Sequence, residues 1–356
     1  MKKIDKSKLV SDDAFSNSQM TLFQTFLSNN KNNDSFSNAI DFWDSTPRFS
    51  ISRQRQEKLR LIGGFLPIAS IEFHYRGGTY TANIRPARLE LKNEEGKPSG
   101  ETIEYYPSAR EEIIELALRK ITAVQNSGYF DKSSFRSGCR FTLYQLRQEL
   151  KEKGHSLRYD ELMEGLKILS LSSIEIVGEG KELSNFCAIS SYLPSLITVT
   201  RQEFDTDAKA KCWVQFHPLV TNSIQQLSYR QFNYCRLMNC RTQLARWLLN
   251  NLVMKYTQAS FATSFDIRYS TIKRDSALLD GYKVQRQAIA VLDKTWKEIK
   301  SLKLLMVIEK IEQRGKNKKL EDIIYTLYPS PDFVAEQKAS NRRQNDAKAS
   351  QATMIK

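Results

Sequence analysis

Apolar positions recur at helical spacing in several stretches of the chain and alternate in others, and together they predict the same order of elements twice. The sharper copy spans residues 265–319. Over residues 270–279, Ile272, Leu278 and Leu279 sit at helical spacing, and Asp280-Gly281 follows as a break that tolerates left-handed backbone. Over residues 283–302, Val284, Ala288, Val291, Leu292, Trp296, Ile299 and Leu302 share one helical face. Lys283, Arg286, Gln287, Ala290, Lys294 and Lys297 share the other. Two apolar-rich runs, 304–312 and 320–327, flank Gln313-Arg314-Gly315-Lys316-Asn317-Lys318-Lys319, which predicts a hairpin with a cationic tip. Helix, turn, helix and basic hairpin make a winged helix.

The earlier copy begins at Ser108, an N-cap with Glu111 and Glu112 in the first turn, and its helix runs to about residue 125. Residues 141–153 form the next helix, stopped by Gly154, and residues 157–170 a third with Leu162, Leu166 and Leu169 inward. Strands at 173–177 and 186–189 flank Gly178-Glu179-Gly180-Lys181. The outward face of that third helix carries Asp160, Glu161 and Glu164 beside Arg158 and Lys167. Carboxylates repel phosphate, so this copy is expected to dimerise, meet a partner, or touch only the DNA backbone through Arg158 and Lys167.

Strands at 68–75 and 79–91, turned by Arg76-Gly77-Gly78, predict a hairpin ahead of the first copy, and 92–100 a solvated loop. Arg48, Arg53 and Arg55 around Phe49 and Ile51 are candidates for phosphate contact. Residues 193–200 and 212–216 are strand-like, and helices at 219–227 and 241–256 supply core, with Trp247 packing. The fold class is therefore α+β, two tandem winged-helix domains with an N-terminal β-hairpin extension and disordered tails. The expected boundaries are a flexible arm at 1–44, the hairpin extension at 45–107 and a first winged helix at 108–211. The second winged helix follows at 212–332, and a disordered basic tail at 333–356.

Charge sharpens this picture. Lys and Arg number 54 against 40 Asp and Glu, for a net charge of +14, which favours nucleic acid as the partner. Residues 258–319 hold 14 Lys and Arg against 7 Asp and Glu, so half of the excess sits on the second reading helix and its wing. The five cysteines lack CxxC spacing, which predicts free thiols in a reducing cytoplasm. No long apolar run suggests a membrane span. His74, His155 and His217 have no metal-ligand spacing and no GxxxxGK[ST] loop occurs, so neither a metal nor a cofactor is expected and the chain reads as a non-enzyme. Tyr229, Tyr234 and Tyr269 are the tyrosines that a strand-cleaving enzyme would draw on.

Two resemblances bear on function. Gln19-Met20-Thr21-Leu22-Phe23, in a polar, Asn/Ser-rich arm, resembles the bacterial sliding-clamp-binding motif Gln-Leu-Ser/Asp-Leu-Phe, with Met20 for Leu and Thr21 for Ser. The resemblance implies that Gln19 anchors one subsite of the β sliding clamp and that Leu22 and Phe23 fill the apolar one. The competing reading is an amphipathic helix over 15–27 that packs back on the body.

Over residues 47–328 the chain resembles iteron-binding plasmid replication initiators of the TrfA and RepA type. The resemblance is carried by Phe141-Thr142-Leu143-Tyr144-Gln145-Leu146 and by residues 212–227, 232–249 and 265–305. It departs at Ala245-Arg246-Trp247-Leu248-Leu249, where many such initiators have Arg-Leu-Tyr-Glu-Leu-Leu. It implies binding to double-stranded direct repeats at an origin, opening of adjacent DNA, recruitment of host helicase machinery, and a homodimer through the first winged helix. Arg286 and Gln287, with Lys283, suit base edges, whereas Lys294, Lys297, Arg314, Lys316, Lys318 and Lys319 suit phosphates. A transcriptional repressor would use the same helix, and a strand-transfer or nicking enzyme is the remaining alternative.

Overall fold

The computed structural model describes residues 35–93, 98–124, 128–131, 133–179, 186–198 and 212–355. The clamp-like Gln19, Met20, Leu22 and Phe23, and the tip at Gly180-Lys181, lie outside the described residues. Helices and small antiparallel sheets are mixed throughout.

Residues expected in the flexible arm form β1 (Phe36–Ile40) and the short helix α1 (Asp41–Ser45). The composition there is polar, but Ala39, Ile40 and Trp43 are buried, and β1 has a partner far along the chain: Phe36 pairs with Asn233 of β12 (Tyr229–Asn233). Helix α2 (Arg53–Gly63), capped by Ser52, occupies the stretch that was a phosphate candidate.

The hairpin of β2 (Ala69–Tyr75) and β3 (Gly78–Arg85) is not an appendage. It continues into β8 (Ser173–Glu179) and β9 (Phe186–Ser191) as one sheet ordered β2-β3-β8-β9. The single strand expected over 79–91 breaks at Pro86, which has no N–H for the ladder, into β3 and β4 (Ala87–Lys92). β4 pairs with β5 (Pro98–Tyr105), whose start falls in the expected loop.

Helix α3 (Ala109–Val124) lies at the centre of the first half, with Ile114, Ala117 and Leu118 fully buried. Beside it run β6 (Gly128–Asp131), β7 (Arg136–Phe141), α4 (Leu143–Glu152) and α5 (Tyr159–Leu171). α4 opens on a capping box: the Gln145 N–H donates to Thr142 Oγ1 (3.0 Å) and the Thr142 N–H to Gln145 Oε1 (2.8 Å). Thr142→Ala should cost about 1 kcal/mol in urea unfolding, read as a midpoint shift at constant slope.

A second sheet, ordered β10-β11-β7-β6, moves the boundary between the halves. β11 (Cys212–Gln215) was expected to open the second half but pairs with β7 and with β10 (Ser195–Ile197), because its Cys212 and Val214 face the first half's core. After α6 (Pro218–Gln225), β12 and α7 (Tyr234–Met238), the second half begins at α8 (Gln243–Lys255), where Trp247 packs half-buried against the core.

A buried ionic cluster ties β1, α1 and α3 together. Asp44 accepts from Arg48 Nη2 (2.6 Å) and from Arg119 Nη1 (2.8 Å), and Glu115 accepts from Arg48 Nη1 (3.3 Å) and Trp43 Nε1 (2.8 Å). Arg48, expected at phosphate, is thus committed to the interior, with its guanidinium 4.2 Å from the Trp43 ring centroid. Burial opposes charge on both Asp44 and Arg119. The attraction between them wins, so the Asp44 pKa is lowered and that of Arg119 raised. His217 stacks on Trp43 at 4.2 Å, and burial, then Arg48, pushes its pKa down to about 3.

Residues 333–355, expected in a disordered tail, are helical. Helix α11 (Pro331–Ile355) packs on β12, burying Phe333, Val334, Gln337, Ser340 and Ala347 at helical spacing. Its inner face mixes apolar and polar residues, and the polar ones are met by Arg230, which donates to Gln337 Oε1 (2.9 Å) and Asn341 Oδ1 (2.5 Å). Between Val334 and Ala347 the buried positions Gln337 and Ser340 are polar, which weakens the hydrophobic periodicity of this stretch. Among the described residues, no helix is long and apolar enough to cross a membrane.

Candidate nucleic-acid interface

The second half runs α8, β13 (Phe265–Arg268), α9 (Tyr269–Ser276), α10 (Gln285–Ser301), β14 (Leu305–Arg314) and β15 (Leu320–Pro329). Its sheet order is β13-β15-β14, so the first strand closes on the last and leaves β14 at the edge. α9 ends earlier than expected, at Ala277, whose φ of 53° places a non-glycine residue in left-handed backbone. Asp322 on β15 satisfies the start of α9, accepting from the Ser270 N–H (3.0 Å) and from Ser270 Oγ (2.6 Å).

Helix α10 separates its faces cleanly. Ala288, Ile289, Leu292, Thr295, Trp296 and Ile299 are buried, whereas Arg286, Gln287, Ala290, Lys294 and Lys297 are exposed. Val284, expected inward, is 53% exposed because it is the N-cap residue rather than part of the helix. Lys283 precedes the helix and is also exposed. No side chain caps this N-terminus, so the positive end of the helix dipole lies beside exposed Lys283, Arg286 and Gln287.

The tip of the β14–β15 hairpin closes through hydrogen bonds from the Gly315 N–H to Lys319 O and from the Lys318 N–H to Gly315 O, both 2.9 Å. Lys316, Lys318 and Lys319 are exposed. Arg314 is exposed as well, but its guanidinium is engaged within the turn by Glu312 (2.6 Å) and Lys318 O (3.0 Å), so it braces the tip. Arg268 and Lys273, also exposed, add cations that the apolar spacing did not single out.

The corresponding helix of the first half, α5, differs. Glu161 pairs with Arg158 (3.5 Å) and Glu164 with Arg110 (3.2 Å), so two of its three carboxylates already have cationic partners and Asp160 is the exposed third. Lys167 is exposed. Its β8–β9 hairpin is bonded to β3 along β8, so it is one edge of a four-stranded sheet and not a free wing.

The halves meet through polar contacts. The His74 N–H donates to Asp275 Oδ1 (3.1 Å), Arg246 pairs with Glu112 (2.9 Å), and Gln243 Nε2 donates to Phe49 O (2.9 Å). Tyr229, Tyr234 and Tyr269 are all buried, and burial raises the pKa of each, that of Tyr229 to about 12. Among the described residues, no cluster of His, Cys, Asp and Glu has the makeup of a metal site.

No family model matches the sequence, and no curated protein is significantly similar to it. Similar solved structures include domains 2 and 3 of RctB, at 8% identity and a TM-score of 0.45, covering 78% of this chain and 99% of that one. A second RctB structure, RctB-155-483, has 9% identity and a TM-score of 0.43, covering 77% and 95%. The Pi initiator protein in complex with iteron DNA has 12% identity and a TM-score of 0.35, covering 84% and 99%.

Proposed function

We propose that the chain is an origin-binding plasmid replication initiator built on two winged-helix modules, of which the second reads the repeats. The observation that carries this reading is the pairing, on one module, of an uncapped helix start bearing Lys283, Arg286 and Gln287 with a hairpin tip bearing Lys316, Lys318 and Lys319. An α-helix fits the major groove, where Arg suits guanine and Gln suits adenine. The tip lysines, with Lys294 and Lys297, neutralise phosphate and set the salt dependence.

The first module, with its paired carboxylates and its wing fused into a larger sheet, serves dimerisation or backbone contact through Arg158 and Lys167. The partners are double-stranded origin repeats, the host helicase machinery and, through Gln19, Met20, Leu22 and Phe23, the β sliding clamp. Selection from a random duplex library should return a motif that footprints as direct repeats, and a plasmid carrying those repeats should depend on this chain for maintenance. Binding without maintenance would make the chain a repressor. Changing Leu22 and Phe23 to Ala should abolish clamp capture, and unchanged capture would remove the clamp from the list of partners.

A further inference from the structure

Asp293 stands out on α10. Arg286, Ala290, Asp293 and Lys297 follow the spacing i, i+4, i+7, i+11, so a carboxylate sits in the middle of the stripe that faces outward. On a surface that meets phosphate, a bare acid is costly. Its two oxygens are, however, both engaged by the wing: Lys310 Nζ on β14 donates to Oδ2 at 2.7 Å and the Tyr325 hydroxyl on β15 to Oδ1 at 3.1 Å. Lys310 and Tyr325 are direct cross-strand partners in the β14–β15 register. One carboxylate therefore grips both strands of the hairpin at the same level. One turn further along the helix, the Trp296 ring packs on the Tyr325 ring with centroids 5.5 Å apart, so the grip is backed by an apolar contact.

The geometry points to Asp293 as the residue that sets the angle between the reading helix and the wing, and so decides whether the tip lysines meet phosphate while the helix meets bases. This inference rests on the DNA-reading assignment above. The lever arm gives it force. Four residues of strand separate Lys310 from Arg314 at the start of the tip, about 13 Å at ~3.3 Å per residue. A tilt of roughly 15° at the clamp moves the tip by about 3 Å, enough to break charge-assisted hydrogen bonds that need heavy-atom distances near 2.8 Å. The tip has no other described ion pair to α10, the Arg314 contacts being internal to the hairpin.

The test uses the full chain and a repeat duplex, with log K measured against log salt. Simple electrostatics predicts that Asp293→Asn, by deleting an acid from the surface, tightens binding. A clamp predicts the opposite: binding roughly tenfold weaker on every sequence, with the salt slope lower by about two as tip contacts are lost. Tyr325→Phe, which alters no charge, should move the slope in the same direction. Combining Asp293→Asn with Lys316, Lys318 and Lys319 changed to Ala should add nothing to the loss from the triple change, since no tip cations remain to be positioned. Tighter binding by Asp293→Asn, an unchanged slope for both variants, or full additivity with the triple change overturns the clamp. If the triple change itself leaves the slope unaltered, the assignment of the wing to phosphate fails, and the clamp with it.

Discussion

Arg119→Met should lower the stability of the chain by about 3–5 kcal/mol, the largest loss expected from any single side chain considered. Arg119 is 4% exposed and donates two hydrogen bonds to Asp44, at 2.8 and 2.9 Å, with Glu115 3.7 Å away. Removing it leaves two carboxylates in the interior with Arg48 as the remaining cation, and the desolvation of both is no longer offset. Arg88→Met is the control: Arg88 pairs with Glu104 at 3.0 Å but is 65% exposed, so solvent screens the pair and the cost should stay below ~1 kcal/mol. Urea unfolding of the two variants at pH 7 separates these outcomes, and equal losses would contradict the ranking.

The same cluster sets the response to acid. His217 has a folded pKa of about 3, below its unfolded value of 6.5, so the unfolded chain binds its proton first as pH falls. Its contribution is fully present above pH 6.5 and declines toward pH 3, at up to ~1.4 kcal/mol per pH unit. The lowered Asp44 pKa acts in the same direction at lower pH, below its ordinary carboxylate value. His217→Asn removes the titration, and an asparagine at this N-cap position also accepts from the Leu219 N–H, as His217 Nδ1 does at 3.1 Å. Its stability should fall less than the parent's between pH 7 and pH 5.

Arg286→Ala should relax sequence preference at one position of the repeat by about 1–3 kcal/mol, up to roughly a hundredfold, while leaving the salt slope close to the parent's. Lys318→Ala should do the reverse, weakening all duplexes alike and lowering the slope by ~0.9 for one lost phosphate contact. Two structural facts separate the roles. Arg286 lies on the first turn of α10, where the helix is uncapped and exposed, and Lys318 lies in the turn of the hairpin with its backbone held by Gly315 O. Salt-titrated binding to the selected repeat and to unrelated duplex reads both quantities, and the reversed pattern would exchange the two assignments.

Much of the second half was legible because local signals agree there. The buried face of α10, the Gly315 turn and the cationic tip all follow from side chains within a few residues of one another, and helical period and turn chemistry are local properties. The helix expected over residues 141–153 was legible for the same reason, and it is α4 (Leu143–Glu152). The misses share a different cause. β1 required β12, β11 required β7, and β3 required β8, each pairing residues from distant parts of the chain that carry no mutual signal in a single sequence. Arg48 read as a surface cation until Asp44 and Glu115 were brought against it, and α11 read as a tail because polar Gln337 and Ser340 interrupt the apolar positions on the face it buries.

The amino-acid sequence by itself determined the concentration of positive charge on residues 258–319, the amphipathic helix that presents Arg286 and Gln287, and the hairpin that presents the lysines, since each depends on composition and short-range period. Only the tertiary structure decided where the halves divide, that the β8–β9 hairpin is part of a four-stranded sheet, and that Asp293 joins α10 to both strands of the β14–β15 hairpin. Strand pairing and ion pairing act between residues that are near in space and far apart in sequence, and only folding brings them together.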